Sequence, residues 1–149
     1  MEIMYSSISG NTKKLAELIN DKINAEYCGK IKEVNSDTVY VGFWTTKNSC
    51  SDDVKRLLES LNDKKVFLFG TCGYNNTDEF YNEILTNVKA NINSSNTIIG
   101  EFVCQAKVSE QKMKALQETN PNFDSMKPLL DESLNRPLES DLTKLVNSL

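Results

Sequence analysis

The chain has 149 residues, 39% of them hydrophobic, a formal charge of −4 and no histidine. Such a length buries roughly two thirds of its unfolded surface in one core, which predicts a single domain over residues 1–149. The acidic balance disfavours nucleic acid and suits a basic partner protein, and the missing histidine removes His triads, His metal sites and imidazole acid–base chemistry.

In chain order, Ile3–Ser6 predicts a first strand and Asn11–Asn24 a helix, because Leu15, Leu18, Ile19 and Ile23 recur at helical spacing. Between them lies Ser7-Ile8-Ser9-Gly10-Asn11-Thr12. A turn rich in hydroxyls and glycine, placed where a strand becomes a helix, gathers unpaired N–H groups at the positive end of the helix dipole, and that geometry suits a phosphate. Ala25–Cys28 predicts a short second strand and Thr38–Trp44 a third, followed by a helix over Ser51–Leu61 with Val54, Leu57, Leu58 and Leu61 on one face. Lys65–Gly70 carries Val66-Phe67-Leu68-Phe69, apolar on both faces like a central parallel strand. A helix over about Thr77–Ile92 turns Phe80, Ile84, Leu85 and Val88 inward and takes Asn76 as its cap, and Thr97–Val103 is a fifth strand. Beyond Val108, Pro121, Pro128 and Pro137 act as breaks among short helices at Ser109–Glu118, Ser125–Leu134 and Glu139–Val146.

Strands alternating with helices imply right-handed βαβ units, hence an α/β fold: a doubly wound, five-stranded parallel sheet in the order 2-1-3-4-5, with a helical C-terminal part from about residue 108 to 149. Its ligand belongs beyond the carboxyl ends of the first, third and fourth strands. No apolar stretch approaches the ~18 residues of a membrane span, and Met1-Glu2-Ile3 lacks a signal-peptide pattern, so a cytoplasmic protein is expected. Cys28, Cys50, Cys72 and Cys104 have no CxxC spacing, which predicts free thiols and no metal site. Asp52, Asp53, Glu79 and Glu83 read as helix N-terminal charges that also offer a face to a basic partner.

The first loop excludes several phosphate sites. A P-loop lysine is missing, as is a G-x-G-x-x-G. A receiver domain needs a carboxylate where this chain has Phe43 and Trp44, and a small cysteine phosphatase needs a cysteine inside the loop and an arginine closing it. An uncatalysed phosphate grip survives.

Here the chain resembles the flavodoxin family, over essentially its whole length. Ser7 to Thr12 is similar to that family's FMN-phosphate loop, Thr/Ser-x-Thr/Ser-Gly-x-Thr. Gly70-Thr71-Cys72-Gly73-Tyr74 resembles the loop that lays an aromatic ring against the isoalloxazine, which nominates Tyr74. Trp44-Thr45-Thr46-Lys47-Asn48-Ser49 stands where flavodoxins keep the loop facing the other side and the flavin N5 edge. In many members a glycine there flips its peptide on reduction; the counterpart here is Asn48, the side chain next most tolerant of positive φ. A short bacterial branch shares Gly42-Phe43-Trp44-Thr45 and a Cys-Gln-Gly-Lys-like segment, here Cys104-Gln105-Ala106-Lys107, where Ala106 departs from the glycine and the role stays open.

The resemblance implies an FMN-binding electron carrier that passes electrons from a reductase to a partner enzyme, with no catalytic residue of its own. For related short branches that partner is a reductase of tetrapyrrole-type pigments such as bilirubin. The N–H groups of Ser9 to Thr12 and the hydroxyls of Ser7, Ser9 and Thr12 can satisfy the FMN phosphate, with weak attraction from Lys13 and Lys14. Lys47, Asn75 and Asn76 stand where acidic flavodoxins place carboxylates, which predicts a less depressed potential for full reduction. Two other readings stay open: an FMN-dependent NAD(P)H quinone or small-molecule reductase, and a flavin-free binding module.

Overall fold

A computed structural model describes residues Met1 to Leu149. The apolar runs form strands β1 (Glu2–Tyr5), β2 (Tyr27–Lys30) and β3 (Thr38–Thr46), a short β4 (Ser49–Cys50), then β5 (Lys65–Cys72) and β6 (Thr97–Gln105). Helices α1 (Asn11–Ile23), α2 (Asp52–Ser60), α3 (Asp78–Lys89), α4 (Glu110–Thr119), α5 (Phe123–Ser133) and α6 (Glu139–Asn147) complete the chain. Five strands pair in parallel in the order β2-β1-β3-β5-β6, which is the order expected once the hairpin strand β4, antiparallel to β3, is set aside.

Alternation along each strand divides the core between two faces. Met4, Val41, Phe43 and Leu68 pack with Val54, Leu57 and Leu58 of α2 and Ile84, Leu85 and Val88 of α3. On the opposite face Ile3, Tyr40, Phe67 and Phe69 pack with Leu15, Ala16 and Ile19 of α1 and Leu145 of α6. Helices therefore cover both faces, and the direction of winding reverses between β1 and β3, whose carboxyl ends leave a crevice.

Several boundaries differ from the sequence reading. The first strand begins at Glu2, whose buried carboxylate accepts the N–H groups of Asn35 and Ser36, both at 2.7 Å, and so ties down the helix-free crossover from β2 to β3. The second strand lies two residues later than Ala25–Cys28, where its backbone pairs with β1. Helix α3 is capped by Thr77, whose Oγ1 accepts from Phe80 N at 3.3 Å, and not by Asn76; it ends at Lys89 rather than Ile92, and Glu83 lies beyond its first turn. Pro128 sits inside α5 instead of breaking it. No helix is long and apolar enough to cross a membrane.

Candidate functional site

The turn from β1 into α1 is built around Gly10, whose φ of 90° starts the helix in the left-handed region that glycine enters without strain. Ser7 Oγ accepts from Gly10 N at 3.2 Å and from Lys13 N at 3.4 Å, so one hydroxyl uses up two of the loop's donors. The N–H groups of Ser7, Ile8, Ser9, Asn11 and Thr12 have no protein acceptor. They lie at the positive end of α1, with Asn11 and Thr12 in its first turn. Thr12 plays a different part from the one expected of its hydroxyl. It is 1% exposed, donates from Oγ1 to the Phe43 carbonyl at 3.3 Å and pairs with Thr71 Oγ1 at 3.0 Å, bracing the loop against β3 and β5.

The crevice above these strand ends is walled by three segments. Ser7, Ile8, Ser9, Asn11 and Thr12 form one side. Trp44 and Thr45 come from the end of β3; Thr71, Cys72, Gly73 and Tyr74 come from the end of β5 and the turn after it. Trp44 Nε1 donates to Ser6 Oγ at 3.3 Å, and Thr45 Oγ1 is buried without a hydrogen-bond partner. Tyr74 packs against Val108, Phe123 and Leu130. Ile8, 75% exposed, is a large apolar side chain left in water beside the crevice.

Thr46, Lys47 and Asn48 are not brought to this wall. The segment expected as a loop continues β3 to Thr46 and turns through Lys47 and Asn48, at φ 50° and 57°, into β4. Two successive positive φ values make the tight hairpin turn that matches strand twist. The Asn48 carbonyl is held by Asn87 Nδ2 of α3 at 2.8 Å.

A further side of the crevice was not anticipated: Ala106, Lys107, Val108, Ser109 and Lys112, from the segment joining β6 to α4. Asn11 Nδ2 donates to the Lys107 carbonyl at 2.8 Å, which binds this segment to the first loop. Gln105, fully buried, holds it to the rest. Its Nε2 donates to the carbonyls of Gly73 (3.1 Å) and Leu129 (2.7 Å), its Oε1 accepts from Asn76 Nδ2 (3.2 Å), and its N–H donates to Tyr81 Oη (2.9 Å). The open question about Cys104–Lys107 thus has a geometric answer: the segment joins the Gly73–Tyr74 turn to α5. Gly73 is needed at that join, because a Cβ there would meet Val108 Cγ2 at 2.7 Å.

Lys107 and Lys112 are the charged side chains on the wall, and no carboxylate faces the crevice. All four cysteines are free. Burial pushes the Cys72 thiol up to about 12, against a weak opposing pull from Arg136, and its Sγ donates to the Asn75 carbonyl at 3.4 Å. It is a protonated wall group at neutral pH, without the thiolate character of a nucleophile.

A doubly wound parallel sheet with a donor-lined first loop at its switch point defines the flavodoxin class of α/β domain. The sequence pattern described as the flavodoxin domain matches residues 2–148, and the chain belongs to that family. It is 32% identical, over 94% of its length and 88% of the relative's, to a flavodoxin-like domain-containing protein BilS from Clostridioides difficile. Among solved structures it resembles a flavoprotein from Lactobacillus acidophilus in complex with FMN, at a TM-score of 0.54 and 18% identity over 69% of this chain and 91% of that one. It also resembles a Fusobacterium nucleatum flavodoxin bound to flavin mononucleotide, at a TM-score of 0.51 and 14% identity over 99% and 97%. At these identities the structural likeness is one of fold.

Proposed function

We propose that the chain binds FMN in this crevice and carries electrons from a reductase to a partner enzyme. The observation that carries the proposal is the set of acceptor-free N–H groups of Ser7, Ile8, Ser9, Asn11 and Thr12 at the α1 N-terminus. FMN ends in a phosphate with close to two negative charges, and such donors meet its oxygens with charge-assisted hydrogen bonds that need no arginine. The remaining walls fit a flat apolar ring with a polar edge. Trp44 and Tyr74 supply aromatic surface, Gly73 lets the β5 turn come close to Val108, and the unpartnered Thr45 Oγ1 offers a polar atom that such an edge would satisfy.

Ser7, Ile8, Ser9, Gly10, Asn11 and Thr12 hold the phosphate in this reading, while Trp44, Thr45, Thr71, Cys72, Gly73 and Tyr74 hold the ring. Thr46, Lys47 and Asn48 stand off the wall and take no part in the grip. When bound, FMN supplies one- and two-electron chemistry, and the chain supplies position and electrostatics. Its crevice presents lysines and no carboxylate to the cofactor, which supports a less depressed potential for full reduction than acidic flavodoxins have. The acceptor assigned is an enzyme reducing a tetrapyrrole-type pigment such as bilirubin, in keeping with the short branch that the sequence resembles, and the compartment is the cytoplasm.

The visible spectrum of the purified protein and titration of the apoprotein with FMN and riboflavin test this. A yellow protein whose affinity for FMN exceeds that for riboflavin on the order of 100-fold is expected, from two or more hydrogen bonds to a charged group. Equal affinity for riboflavin, or no binding, overturns the phosphate grip. Steady NAD(P)H oxidation by the isolated protein overturns the carrier role in favour of a reductase.

A further inference from the structure

Of Trp44, Thr45 and the segment Thr71 to Tyr74, Thr71 alone is hydrogen-bonded to the Ser7–Thr12 loop: its Oγ1 lies 3.0 Å from Thr12 Oγ1. Which of the two hydroxyls gives the proton follows from a third group. Thr12 Oγ1 also lies 3.3 Å from the Phe43 carbonyl, which can only accept, so the single hydroxyl proton of Thr12 goes there. The proton between the two threonines is therefore that of Thr71. Thr12 and Phe43 are 1% and 0% exposed, so water does not reach this end of the chain to reverse its direction. The backbone of Thr71 is fixed as well, since β5 pairs it with Trp44 on one side and Cys104 on the other. Having sent its proton inward, Thr71 Oγ1 turns only lone pairs to the crevice it lines. Thr45, on the same wall, is the opposite case: its Oγ1 has no partner in the chain, and its proton is uncommitted.

We propose that Thr71 is a specificity-determining acceptor for a hydroxyl on the chain that links the two ends of the ligand, and that Thr12 is its positioning residue, because it takes the Thr71 proton. Thr71 stands at the junction of the phosphate loop and the ring wall. A ligand with a phosphate at one end and a flat apolar ring at the other has its linking chain there. In FMN the link is the ribityl polyol, and each of its hydroxyls has a proton to give. An ether oxygen in the same place would set lone pair against lone pair. Donation along the row, from Thr71 to Thr12 and from Thr12 to the Phe43 carbonyl, also makes the Thr71 oxygen a better acceptor than an isolated hydroxyl. The junction thus selects the polarity of the link as well as its length. A pair of threonines that only braced β5 against the loop would be indifferent to that polarity. The occupant rests on the FMN reading, whereas the direction of the protons is a property of the protein itself.

Three flavins with one ring and different N10 substituents test this. Riboflavin carries hydroxyls, a flavin with a methoxyethoxyethyl chain accepts hydrogen bonds but cannot donate them, and lumiflavin carries only a methyl group. Affinities of the apoprotein are measured for wild type, T71V, T71S and T12V, each expressed relative to lumiflavin, so that a general loosening of the wall cancels. Wild type is expected to prefer riboflavin to the ether flavin by at least about twofold, and T71V to lower the riboflavin ratio about two- to tenfold, the value of one hydrogen bond. T71S is expected to keep the wild-type ratio. T12V frees the Thr71 proton toward the crevice and is expected to raise the ether-flavin ratio about two- to tenfold, a gain that damage to the fold does not produce. An ether flavin bound by wild type as tightly as riboflavin, an unchanged riboflavin ratio in T71V, or an unchanged ether ratio in T12V overturns the proposal. The first two outcomes keep the test decisive if T12V does not fold. Wild type that binds FMN yet gives any of these three outcomes overturns this inference alone, whereas wild type that binds no flavin overturns the cofactor reading and this inference with it.

Discussion

The two sides of the crevice are held by different forces. Its floor, the ends of β1, β3 and β5, grows out of a sheet whose Ile3, Val41, Phe43, Leu68 and Phe69 are fully buried between helices. The opposite rim is the segment joining β6 to α4, backed by α4 and α5, where α4 has no buried residue and the local cluster has only three buried members, Val108, Phe123 and Leu130. Apolar area alone, at roughly 25 cal/mol per Å², fixes the first side far more strongly than the second. The rim is kept in place by polar ties: Gln105 to Leu129 and Gly73, Asn11 to Lys107, and Ser133 Oγ accepting from Val108 N at 3.2 Å. A site assembled in this way has a rigid phosphate end and a rim that opens at lower free energy.

Cutting the rim's main tie is expected to have the largest effect. Gln105→Leu keeps the volume roughly constant but removes the hydrogen bonds that Nε2 donates to the half-buried carbonyls of Gly73 and Leu129. At about 0.5–1.5 kcal/mol for each hydrogen bond lost, a loss of about 1–3 kcal/mol follows. Hydrogen exchange locates it: amides of residues 110–133 lose protection first, while those of β5 keep theirs until global unfolding. Uniform loss of protection across β5 and α4 would show that rim and floor are one cooperative unit.

The floor has a polar tie of its own in Glu2, and acid cuts it. Burial opposes the Glu2 charge, yet the Ser36 and Asn35 N–H groups and the nearby Lys32 hold its carboxyl below the ordinary glutamate value. A carboxyl depressed in the folded state contributes stability above its unfolded pKa and loses it as pH falls through the folded one. Denaturant midpoints should therefore fall below the ordinary glutamate range in wild type. Glu2→Gln, which keeps the shape and loses the charge, starts about 1 kcal/mol lower at neutral pH, since a hydrogen bond to a charged group outweighs a neutral one by roughly that amount. The two curves converge in acid; parallel curves would mean that the Glu2 charge contributes nothing.

The same contrast decides what could be read from the residues. Strands of the floor are legible because long runs such as Val66-Phe67-Leu68-Phe69 leave no other way to bury themselves, and right-handed crossovers, with a phosphate loop after the first of five strands, leave few strand orders besides the one observed. The phosphate loop was legible because glycine at φ 90° and flanking hydroxyls form a local pattern. What escaped is set by long-range pairing. The two-residue β4 is too short to show a period, and Lys47 gives little sign of positive φ. Gln105 is polar and 0% exposed, so its role depends on Gly73, Asn76 and Leu129, which only folding brings to it. Pro128 signals a break because it loses one donor and crowds the carbonyl one turn back, yet α5 runs through it, with Phe123 and Leu130 packed on either side.

The smallest expected effect separates the charges of the rim from the dipoles of the floor. Lys107 and Lys112 are exposed and carry the wall's positive charge, whereas the first loop offers fixed N–H groups at a helix end. Attraction between an exposed lysine and a bound phosphate is screened by water and salt and is worth about 0.2–1 kcal/mol. Lys112→Ala should therefore weaken FMN binding by no more than about fivefold at low salt and by almost nothing near 1 M, where the Debye length is about 3 Å, and should leave riboflavin affinity unchanged. Hydrogen bonds from the loop persist at high salt, because directed donors in contact with the oxygens are not screened as distant charges are. If the loop is the main grip, FMN therefore keeps most of its advantage over riboflavin at 1 M salt, and Lys112→Ala and wild type become indistinguishable there. Loss of that advantage with rising salt in wild type would assign the phosphate to the lysines of the rim, and with it the rigid end of the site to its looser side.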